Sequence, residues 1–123
     1  MRTIIFALGL ALALTAAPPL SRADVPNVQK LLEECNAAPG TDDFFLCIGY
    51  VGGIGDAMIL NGVDARRKAI NPMLVICDEE GISYGAMIQA FKNWAQQHPE
   101  TWGSPQYRGV ATALRESWPC KAR

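Results

Sequence analysis

The chain holds few residues that could do chemistry. Gly81-Ile82-Ser83-Tyr84-Gly85 fits G-x-S-x-G, the turn that presents a serine nucleophile in α/β-hydrolases. That chemistry needs a strand before the serine, and an acid and a histidine farther along. The single histidine, His98, follows with no Asp between it and Ser83. Ser83 as a helix cap explains the same residues. His98 stands alone, which rules out a histidine metal cluster; at a helix end its ring can meet the last carbonyls. Asp78-Glu79-Glu80 lacks the spacing of a calcium loop and reads as negative charge ahead of a helix. Cys35, Cys47, Cys77 and Cys120 contain no C-x-x-C pair and read as structural. The expectation is a protein that is not an enzyme, with no cofactor and no metal. What is left is recognition. Trp102 sits among Glu100, Thr101, Ser104 and Gln106, an aromatic anchor inside a polar rim. His98, Glu100, Trp102 and Ser104 are the candidate partner-binding residues. The alternative is that Trp102 folds back and caps the core.

The N-terminus sets the compartment. Met1-Arg2-Thr3 is a short basic start, and Ile4 to Ala17 is apolar without a charge. Pro18 and Pro19 break any helix there. Ser21-Arg22-Ala23 offers small residues for a cut after Ala23. The apolar run is shorter than the roughly 20 residues that span a bilayer. We therefore expect residues 1–23 to be a cleaved signal peptide and 24–123 a single periplasmic domain, with no membrane attachment after cleavage. About 100 residues make a small domain with a marginal core. The formal net charge is −1, and it becomes more negative once Arg2 and Arg22 leave. A mildly acidic surface argues against nucleic-acid binding, which rests on neutralising phosphates. All four cysteines follow the cut, as in disulfide-stapled exported proteins.

The rest of the pattern is helical. Val28, Leu31 and Leu32 mark a first helix over Asn27 to Glu34, closed by the Pro39-Gly40 turn. Thr41 caps a second, with Asp42 and Asp43 at its positive end. Phe44, Cys47, Ile48, Val51 and Ile54 mark its buried face, and Asn61-Gly62 should end it near Leu60. This helix carries Gly49, Gly52, Gly53 and Gly55, and Gly49/Gly53 has the small-xxx-small spacing of tight helix packing. That packing can lie within the monomer or across a dimer. Arg66-Arg67-Lys68 reads as a solvated face, Asn71-Pro72 breaks any helix, and Leu74-Val75-Ile76 can dock as an extended piece. Ser83 caps a third helix with Met87, Ile88, Phe91, Trp94 and Ala95 inside, ended by His98-Pro99. Ser104 as cap and Pro105 as first residue open a fourth, with Tyr107, Val110, Ala111, Leu114 and Trp118 as its stripe. The fold class is all-α, a small four-helix bundle with no significant sheet. Helices one and two form a hairpin that brings Cys35 to Cys47. Antiparallel helices three and four bring Cys120 to Cys77. The two bridges would contribute roughly 3 and 4 kcal/mol in the chain-entropy model.

Taken together, these residues resemble the Rap/Tai immunity proteins. The resemblance rests on a cysteine closing helix one, then Phe45-Leu46-Cys47-Ile48-Gly49-Tyr50-Val51-Gly52-Gly53. Cys77, Gly81-Ile82-Ser83 and His98-Pro99-Glu100 follow, then Ala113-Leu114 before Trp118-Pro119-Cys120. It runs from about Leu31 to Cys120. Cys77-Asp78-Glu79 departs from it where a proline is expected soon after the cysteine, and helix two has an excess of glycine. The resemblance implies a periplasmic, all-helical, dimeric inhibitor that protects bacteria from a peptidoglycan amidase delivered by type VI secretion. Inhibition would be steric, by a loop plugging the enzyme's cleft. The loop His98 to Ser104 is the first choice, and the residues joining helices two and three are the second. A non-catalytic periplasmic binding or assembly module on the same scaffold is the alternative function.

Overall fold

Asn27 starts the first helix from just outside it. Its Oδ1 accepts the Lys30 amide at 2.9 Å, and α1 (Val28–Asn36) follows. Thr41 does the same for α2 (Asp42–Ala65), its Oγ1 accepting the Phe44 amide at 3.3 Å. Ser83 caps α3 (Tyr84–Gln97) through the Ala86 amide at 3.2 Å. A short 3-10 turn (Pro99–Thr101) and α4 (Gln106–Ser117) complete the order. The computed structural model describes residues 25–65, 74–77 and 80–120. The expected signal peptide, Arg66-Arg67-Lys68, Asn71-Pro72 and Asp78-Glu79 lie outside the described residues. Among the described residues there is no strand, and one isolated antiparallel bridge joins Asn27 to Pro105.

Every helix of the bundle packs against the other three. Leu31, Cys47, Val51, Met58, Met87, Phe91, Val110 and Leu114 are buried at the centre. The two expected disulfides are present. Cys35–Cys47 closes a 12-residue separation and lies inside the core. Cys77–Cys120 closes 43 residues, with Cys120 exposed.

Three sequence-based expectations need correction. First, α2 does not stop at Asn61-Gly62. Val75 and Ile76 dock against it, the Ile76 carbonyl lies where a Gly62 side chain would begin, and Asn61 Nδ2 donates to Leu74 O at 3.1 Å. Gly62 is therefore a helical residue that makes room for the docked segment. Second, Ser104 is not a cap and Pro105 is not the first helical residue. Pro105 holds extended backbone (φ −54°, ψ 133°) in its bridge with Asn27, and α4 begins one residue later. Third, the α4 stripe is shifted in part: Val110 and Leu114 are buried and Ala111 and Trp118 pack half-buried against the core, but Gly109 and Ala113 are buried as well and Tyr107 is exposed.

Gly109 can face inward because it lacks one atom. A Cβ at position 109 would come within 2.7 Å of Val28 Cγ2 and 3.3 Å of the Trp94 ring. Val28 is fully buried and β-branched, so it has little freedom to yield. The glycine pattern of α2 also differs from expectation. Gly52 and Gly55 approach Tyr84 and Met87 closely, whereas a Cβ at Gly49 or Gly53 would meet nothing within 4 Å. The Gly49/Gly53 face is open in the monomer. Gly109→Ala should destabilise the protein by about 1–3 kcal/mol through overpacking. Gly49→Ala should stabilise the monomer by up to ~1 kcal/mol, the usual helix-interior gain. Urea unfolding of the two variants beside the parent checks both signs.

Candidate functional site

The end of α3 and the turn after it form the candidate site. Its backbone is tied at almost every step. His98 N donates to Ala95 O at 3.3 Å, Thr101 N to His98 O at 3.0 Å, Trp102 N to Pro99 O at 3.2 Å and Ser104 N to Thr101 O at 2.8 Å. Thr101 Oγ1 adds a second bond to His98 O at 2.8 Å.

Trp102 does not project as an anchor. It is half-buried against the core, and its Nε1 donates to Ala95 O at 2.8 Å. It is a second bond to a carbonyl of the last α3 turn, which also accepts from His98 N. The indole ties the loop down from the inside. His98 and Glu100 lie outside it, with side chains 40% and 66% exposed. Their Nδ1 and Oε1 atoms are 2.9 Å apart. The His98 ring also lies 4.8 Å from the Trp94 ring, tilted by 33°. Hydrogen bonding to His98 is the main reason the Glu100 carboxyl sits below its ordinary pKa. Ser104 is half-buried and enters the site through its backbone, not its hydroxyl.

The hydrolase motif comes apart in three dimensions. Ser83 caps the N-terminus of α3 and His98 caps its C-terminus. A 14-residue helix separates them, about 21 Å at 1.5 Å per residue. Tyr84, the next residue of that motif, lies over Gly52, and its hydroxyl donates to Asp56 Oδ2 at 2.6 Å. That hydrogen bond first, and the Asp56 charge second, raise the Tyr84 pKa. No group of three or more His, Cys, Asp or Glu among the described residues is placed to hold a metal.

Two further features escaped sequence reasoning. One is the segment Pro26–Gln29, which bonds to the far side of the loop. The other is the outer face of α2, where Phe45, Leu46 and Leu60 are exposed around the open Gly49 and Gly53. By length and composition Asp42–Gly62 could cross a membrane (mean hydropathy 1.5). Its other face is the centre of the bundle, tied to α1 through Cys47.

The sequence model of the Rap1a immunity proteins matches residues 27–120. The chain belongs to this family. No curated protein and no solved structure matches it. The matched span starts at the α1 cap and ends at the last cysteine, so the Rap1a unit coincides with the disulfide-closed bundle. The chain is therefore an immunity protein, and its partner is an effector protein.

The two shifted groups predict opposite pH limits. Glu100 is lowered, so its contribution holds above the ordinary carboxylate range and is lost as pH falls through the lowered value. Tyr84 is raised, so its contribution holds below tyrosine's ordinary value of about 10 and is lost as pH rises through the raised one. In melting temperature against pH, Glu100→Gln should flatten only the acid limb and Tyr84→Phe only the alkaline limb.

Proposed function

We propose that this Rap1a protein works in the periplasm, where it binds and sterically blocks a peptidoglycan amidase delivered by type VI secretion. It does no chemistry of its own. The observation that carries this reading is the pre-ordered loop His98 to Ser104, pinned from inside by Trp102. A plug that is already rigid loses little conformational entropy on entering a cleft. His98 and Glu100 offer the polar contact groups, and Trp102 supports them. The exported, oxidising compartment suits both the disulfides and the target, because a wall-cleaving enzyme acts there.

The expected homodimer is assigned to the outer face of α2. Phe45 and Leu46 stand at one end, Leu60 at the other, and Gly49 and Gly53 between them. This order is nearly palindromic about Gly53, so a two-fold antiparallel crossing sets each bulky end against the partner's opposite end. Two-fold interfaces require such self-complementarity. The one charge between Phe45 and Leu60 is Asp56, and its Oδ2 already accepts from the Tyr84 hydroxyl at 2.6 Å.

The mature chain should inhibit the amidase encoded beside its gene at nanomolar concentration, scored by release of peptidoglycan fragments. Combined His98→Ala and Glu100→Lys should weaken inhibition by about 10- to 100-fold, the range of interface hot spots, with the helical circular dichroism unchanged. Full inhibition by that variant would move the interface elsewhere. No inhibition by the parent would leave a periplasmic binding module without an amidase partner. In sedimentation analysis Gly53→Glu should turn the dimer into a monomer with the helical circular dichroism unchanged.

A further inference from the structure

The first amides of a helix have no partner within it. In this chain two helix starts supply each other across the loop. Val28 N, at the start of α1, donates to Ser104 O at 3.0 Å, and Gln29 N donates to Trp102 O at 3.2 Å. In return Gln106 N, the first amide of α4, donates to Pro26 O at 3.3 Å. Between these bonds Asn27 pairs with Pro105 as an antiparallel bridge while its side chain caps α1. The Val28 side chain is fully buried, against the place where Gly109 has no Cβ. The segment is thus anchored on one side by packing and joined on the other to the backbone of residues 102–106.

We infer that Val25–Gln29 is a strap that positions the loop for partner recognition. The inference rests on the reading of that loop as the recognition surface. Pro26, Val28 and Gln29 are positioning residues that act through the Trp102 and Ser104 carbonyls and the Gln106 amide. The loop's inner side is held by Trp102 on Ala95, and residues 102–106 by the strap. With export processing after Ala23, only Asp24 precedes Val25. The cut that makes the mature chain then lies beside the element that shapes its recognition loop. A cut past Asn27 would remove the Pro26 carbonyl and the α1 cap together.

One substitution deletes a single strap bond. Gln106 is the first residue of α4, a position where proline fits and no intrahelical bond is lost. Gln106→Pro removes the donor to Pro26, whereas Gln106→Ala keeps it. Deletion of residues 24–26 from the mature chain removes the acceptor instead. In Gln106→Pro and in the deletion, hydrogen exchange at the Val28, Gln29 and Ser104 amides should quicken by about tenfold, as local opening does. Affinity for the amidase of the inhibition assay should fall by about tenfold, because loop ordering then opposes binding. Gln106→Ala should change neither. Unchanged exchange in both altered chains would show that the loop holds itself and would overturn the strap. Faster exchange with unchanged affinity would overturn its role in recognition. Exchange is read without the amidase, so failure of the unaltered chain to bind that enzyme is told apart from failure of the strap.

Discussion

The crossing of α1 and α4 at Val28 and Gly109 governs the rest of this small bundle. Position 109 has no side chain, so Val28 reaches the α4 backbone and brings the start of α1 with it. With that approach Gly109, Val110, Ala113 and Leu114 all lie inside and Tyr107 lies outside. It also sets the α1 amides opposite the Ser104 and Trp102 carbonyls, so that packing and hydrogen bonding demand the same geometry. In a domain of this size the agreement matters, since a core this small leaves little stability to spare.

The loop that follows α3 obeys the same economy. Its backbone groups bond to one another, to Ala95 and to the strap, so its shape does not depend on a partner. Trp102 contributes by facing inward. The tryptophan of the loop thus supports the residues beside it from within. His98 and Glu100 are left at the surface, joined to each other and free at their outer edges to meet another molecule.

Much of this was legible in the sequence. The caps Thr41 and Ser83, the face of α3 and both cysteine pairs follow from local rules: capping residues, helical spacing and hairpin closure. What was not legible depends on a second segment. Gly62 looked like a helix stop because its tertiary neighbour, Ile76, is distant in sequence. Gly49 and Gly53 matched a packing motif, yet the closely packed glycines are Gly52, Gly55, Gly62 and Gly109. Spacing alone cannot say which side of a helix is covered. Ser104 and Pro105 fitted the rule for a helix start, but the bridge to Asn27 keeps Pro105 extended. The candidate site was located by composition; the inward turn of Trp102 was one of two open readings. The role of Pro26–Gln29 was invisible because backbone groups carry it.

The connectivity of the disulfides bears on how the molecule is made. Each bridge joins cysteines that are consecutive in the chain, Cys35 with Cys47 and Cys77 with Cys120. A polypeptide threaded N-terminus first into an oxidising space presents the first two thiols before the last two arrive. Pairing in order of emergence then gives the native set directly. No wrong bridge has to be reopened by thiolate attack, the slow exchange step that interleaved patterns require. For a chain exported in that way, assembly can rely on an oxidant alone, without a shuffling catalyst.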